Sequence, residues 1–75
     1  MMTLYEFNAL DEKEKGEAIF TQATFIDNRN DAPYKVQLYR LSNFYVEVYY
    51  DAQANAIVRY RSFSRLGQLA PYLKS

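Results

Sequence analysis

The sequence predicts a single α+β domain spanning residues 1–75: a helix, a four-stranded antiparallel meander and a closing helix, with both helices packed on one face of the sheet. Three observations lead there. An acidic opening carries a helix-capping signal, and residues 34–63 alternate β-branched and aromatic side chains between two turn signals. Leucines at helical spacing then follow Ser64.

The first helix is expected from Asp11 to about Gln22. Asn8 or Asp11 can cap it, Asp11 and Glu14 have capping-box spacing, and its first turn is acidic. Its apolar positions, Leu10, Ala18, Ile19, Phe20 and Ala23, are sparse, which predicts one buried face and a solvated DEKEKGE face interrupted by Gly16. ATFID reads as a short strand and NRNDAP as a turn. DNRND has the alternate acids of a calcium loop, but Ala32 stands where that loop needs Gly and Leu38 where it needs Glu, so the turn is preferred.

Residues 34–63 hold eight of the thirteen aromatic rings. A three-residue hairpin loop, Leu41-Ser42-Asn43, sets Val36 against Val48 and Leu38 against Val46, with Asn43 left-handed. A two-residue loop instead sets Val36 and Leu38 beside Tyr49 and Glu47, and the apolar match favours the first register. The loop DAQAN, with Asn55 left-handed, then sets Val48 against Val58 and Val46 against Tyr60. One face becomes Val36, Leu38, Phe44, Val46, Val48, Val58 and Tyr60. The other becomes Lys35, Gln37, Tyr39, Tyr45, Glu47, Tyr49, Arg59 and Arg61. After Ser64, a fair N-cap, Leu66, Leu69, Ala70 and Leu73 predict a helix limited by Pro71.

Composition narrows the chemistry. With no His and no Cys, the commonest general base, the thiolate nucleophile, disulfides and ordinary zinc ligands are excluded; Gly16 and Gly67 are too far apart for a phosphate-cradling loop. No catalytic residue, metal site or cofactor is expected. A domain this small hides only about 60% of its unfolded surface, so a partner chain is the available staple. The net charge is zero, although residues 1–31 carry −4 and residues 32–75 carry +4.

The expected working surface is the polar-aromatic face, with Lys35, Tyr39, Tyr45, Tyr49, Arg59 and Arg61 as binding residues and Glu47 in an exposed ion pair with Arg59 or Arg61. Tyr and Arg suit protein interfaces, which points to a non-enzymatic module that self-associates, as a homodimer for instance, or docks on a protein partner through this face or the sheet edge. The alternative is single-stranded RNA stacked on the same rings. The opening MMTLYEFNALDEKEKGE lacks a signal peptide's basic end and apolar run, and no stretch is long and apolar enough for a membrane span, so a cytoplasmic protein is expected. The pattern FYVEVYYDAQANAIVRYRSFSRL followed by LAPYL, with the acidic opening helix, resembles small bacterial single-domain proteins of unassigned function. That resemblance implies a bacterial cytoplasmic origin and no site residues.

Overall fold

In the computed structural model, which describes residues 1–73, two short helices open the chain instead of one. α1 (Leu4–Asn8) starts at Thr3, whose hydroxyl accepts the Glu6 N–H at 3.1 Å while Glu6 accepts the Thr3 N–H at 2.8 Å. α2 (Glu12–Gln22) repeats the device with Asp11 and Glu14, at 2.8 and 3.0 Å, where the sequence predicts its start. Each box satisfies two backbone donors that the first helical turn leaves free. Thr3-x-x-Glu6 carries the same signal as Asp11-x-x-Glu14, so α1 was open to the same reading.

Four eight-residue strands follow, β1 (Thr24–Asp31), β2 (Tyr34–Leu41), β3 (Phe44–Asp51) and β4 (Ala56–Phe63), paired as an antiparallel meander in chain order. The segment NRND expected in a turn belongs to β1, and the turn is the dipeptide Ala32–Pro33, joined by a cis peptide bond. Asn55 is left-handed as expected, at φ 53°, and the Asp51 carboxylate accepts the N–H groups of Gln53 and Ala54 within that turn.

The β2–β3 hairpin departs from the expected register. Its loop is the two residues Ser42–Asn43, with Ser42 and not Asn43 at positive φ (61°), so Val36 pairs with Tyr49 and Leu38 with Glu47. Slipping a hairpin by one residue moves every side chain of one strand to the other face. Lys35, Gln37 and Tyr39 therefore lie with Val48 and Val46, and Val36 and Leu38 lie with Glu47 and Tyr49. On β4 the register differs from expectation by two residues, which preserves the faces: Val48 meets Tyr60 and Val46 meets Ser62. Val58 leaves the predicted core, because it is the extra residue of a bulge between Ile57 and Arg59 and is 44% exposed.

Both faces of the sheet are consequently buried in part. On one, Leu41, Phe44, Val46 and Val48 pack with Phe7 of α1 and with Ala18 and Ile19 of α2. Phe7 is fully buried, its ring 5.8 Å from Phe44 and 6.5 Å from Tyr60, and its burial contributes roughly 1.5–3 kcal/mol. On the other, Val36, Leu38, Tyr49 and Phe63 are buried together with Glu47. The closing segment Leu66–Tyr72 is a 3₁₀ helix containing Pro71, and it brings Tyr72 onto this second face. The expectation that the opening and closing helices share one face is corrected here: β2 presents apolar residues on both sides, and each side takes its own cover.

Candidate functional site

Glu47 sits at the centre of the second face, in a row with Asp27, Leu38 and Arg61, and is fully buried. Burying a carboxylate without partners is very costly, so its neighbours decide whether the fold stands. Oε1 accepts from Arg61 Nη1 at 2.7 Å and from the Tyr49 hydroxyl at 3.3 Å. Oε2 accepts from Arg29 Nε at 3.1 Å and from the Tyr72 hydroxyl at 2.6 Å, with Arg29 Nη2 also 3.1 Å away. Arg29 Nη2 donates in turn to the Tyr49 hydroxyl at 3.1 Å, and Asp31 lies 3.6 Å from its Nη1.

Local structure places each partner. Arg29 faces Glu47 because β1 pairs with β2 without a break from the Ala32–Pro33 turn to Asp27, which sets Arg29 against Val36, and Arg61 pairs directly with Glu47, which on β4 requires the bulge at Val58. Without that extra residue Arg61 would point to the other face. Tyr72 comes from outside the sheet. Its ring lies 5.7 Å from the Arg29 guanidinium, which also approaches the Tyr49 ring at 6.0 Å, and Arg59 covers that ring at 5.1 Å.

The electrostatics follow from this geometry. Burial pushes the Glu47 carboxyl up, but hydrogen bonds from Tyr72 and Arg29 and the charge of Arg29 outweigh it and hold the group below the ordinary carboxylate range. Burial and donation to Glu47 push the Tyr72 phenol well up. Burial opposes the charge on Arg29, yet its bond to Glu47 prevails and raises it. The result is a closed ionic knot of one carboxylate, two guanidiniums and two phenols.

The six expected binding residues divide between the faces. Tyr45, Tyr49, Arg59 and Arg61 share the Glu47 face, whereas Lys35 and Tyr39 lie on the helix-bearing face. Tyr45 stacks on Phe63 at 5.7 Å, Arg61 lies 5.2 Å from the Phe63 ring, and Tyr49 is 6% exposed. A base-stacking platform needs open ring faces; these rings are engaged with one another and with arginines. Tyr39 meets Phe25 edge-on at 5.7 Å and donates to Gln37 at 3.0 Å. Lys35, Gln37, Val48, Tyr50 and Ile57 line a cleft of about 370 Å³.

The Glu47 ion pair is expected exposed, with Arg59 or Arg61. Arg61 is a partner, but the carboxylate is fully buried under half-buried arginines, and Arg29 and Tyr72 belong to the same cluster. Neither carried a sequence signal beyond being an isolated Arg in a polar run and a Tyr after a Pro. Beside the knot, Asp27, Asn28, Arg29, Asn30, Pro71 and Tyr72 line a polar cleft of about 450 Å³. Among the described residues no group of three His, Cys, Asp or Glu could hold a metal ion, and no helix is long and apolar enough to cross a membrane. No protein-family model matches the chain, and no curated protein or solved structure does either.

Proposed function

We propose that the protein is a non-enzymatic interaction module that self-associates through the exposed edge of its sheet. The observation that carries this reading is β1. It is a full-length edge strand on which every residue but Arg29 is exposed, and Phe25 (49% exposed) and Ile26 (46%) stand at its bulge. Edge strands offer unpaired backbone groups to a second strand, and soluble proteins usually blunt them with charge or Pro. β1 carries Asp27, Arg29 and Asp31 toward its turn, but at the bulge it displays apolar side chains. β4, the other edge, has the same construction at Ile57 and Val58.

Single-stranded nucleic acid has less support, because Arg29 and Arg61 are committed to Glu47 and the Tyr49 ring is covered. Light scattering at micromolar concentration tests the leading reading. The expected result is a dimer that Ile26→Lys converts to a monomer with unchanged circular dichroism. A monomeric wild type would defeat it. Association that survives Ile26→Lys but fails in the Tyr45→Ser, Arg59→Ser double variant would move the surface to the Tyr/Arg face.

A further inference from the structure

The closing 3₁₀ segment is attached to its sheet in an unusual way. None of its residues is buried, Leu66 and Leu73, at and just beyond its ends, are 69% and 72% exposed, and no side chain caps its start at Arg65. Its one strong polar anchor is the Tyr72 hydroxyl on Glu47, with the ring against Arg29. Beneath it lies Glu47, fully buried with Tyr72 in place and with its other donors all supplied by the sheet, and between the segment and β1 runs a polar cleft lined by Asp27 to Asn30 on one side and Pro71 and Tyr72 on the other. A carboxylate whose other donors all come from the sheet, reached by one tyrosine on a thinly packed segment, does not need that tyrosine to come from the same chain.

We propose that the Glu47 knot is a tyrosine socket, and that in the self-associated protein it receives Tyr72 of a second copy, the two closing segments being exchanged about hinges at Ser64 and Arg65. The inference rests on the self-association proposed above, for a quantitative reason. Exchange remakes the same Tyr72 contacts in the partner and by itself gains nothing. The segment's tether in its own chain acts like a local concentration in the millimolar range, so at micromolar protein exchange requires additional contacts between copies. The exposed β1 edge, which borders the same cleft through Asp27–Asn30, provides them. Nine residues from Ser64 to Tyr72 span about 30 Å when extended, enough to leave one sheet for another beside it.

The chain has no cysteine, so single thiols report cleanly. Asn28 and Pro71 are exposed and line the cleft from its two sides. Asn28→Cys and Pro71→Cys chains, purified separately, mixed at micromolar concentration and treated with a short bismaleimide, should give a dimer linked between positions 28 and 71, identified by peptide mass. As an independent measurement on a different variant, a fluorescent peptide of residues 65–73 should bind the Tyr72→Ala chain, and its Tyr-to-Phe version should bind at least about tenfold more weakly, the worth of a hydrogen bond to a charged acceptor. If wild type is a dimer but positions 28 and 71 link only when both thiols are on one chain, exchange is overturned and self-association stands. If wild type is a monomer, both fail. Equal binding of the two peptides overturns the socket.

Discussion

Glu47→Gln is the substitution that tests the buried knot most directly, since it keeps shape and removes charge. In the native protein each carboxylate oxygen serves one guanidinium and one phenol. A glutamine must turn its NH₂ toward one of those pairs. A phenol can reverse and accept, but a guanidinium has no acceptor, so either Arg29 or Arg61 is left facing an N–H. The side chains of Arg29 and Arg61 are 21% and 32% exposed, so the abandoned group turns partly to water, and the expected cost is about 2–3 kcal/mol. That is a large part of the roughly 4–11 kcal/mol expected for a domain of this length. Urea unfolding followed by circular dichroism at pH 7 measures it. The cost should also depend on pH. Glu47 titrates lower in the folded protein than in the unfolded chain, so falling pH loads a proton onto the unfolded chain first. The stability Glu47 contributes is therefore complete above its unfolded value, near 4.5, and is lost as pH falls through the folded value. The gap between wild type and Glu47→Gln should narrow below about pH 4.5. A variant within about 0.5 kcal/mol of wild type at pH 7, or a gap unchanged down to pH 2.5, would refute the account of the knot.

Other expectations follow from the two-sided burial. Leu38→Ala, beneath the second face and 1% exposed, should cost about 2–5 kcal/mol, whereas an open second face would reduce that to a few tenths; urea midpoints decide. Val48→Ala on the helix-bearing face should cost about 1–3 kcal/mol, and its exposed neighbour in register, Gln37→Ala, less than about 0.5. Gly16→Ala places a Cβ 3.1 Å from the Tyr60 hydroxyl, so thermal unfolding should show less than the full gain of about 1 kcal/mol that alanine brings to a helix interior. A gain of the full amount would mean that the Tyr60 ring shifts freely.

What the sequence determined by itself is what depends on neighbours within a few residues. The Asp11–Glu14 box starts α2 because both partners lie on one helical turn, Asn55 takes the left-handed turn position because its short polar side chain tolerates it, and alternation from residue 34 to 63 makes three strands of a meander. Register was another matter. Matching Val36 and Leu38 to Val48 and Val46 assumes a sheet with one dry face, and on that assumption the three-residue loop wins. The tertiary structure removes the assumption: α1 and α2 cover Val46 and Val48, Tyr72 and its segment lie over the opposite side, and both sets of β2–β3 apolar residues are buried with the strands one residue out of the expected phase. Local alternation cannot choose between registers that both bury apolar residues. The choice depends on what covers each face, and that cover comes from residues 25 or more positions away along the chain, Tyr72 being 25 from Glu47. The ionic knot was only half legible for a related reason: Arg61 lies on a strand that alternation reveals, but Arg29 lies in the polar run NRND, which reads as a turn and is part of β1, and Tyr72 comes from a segment laid across the sheet.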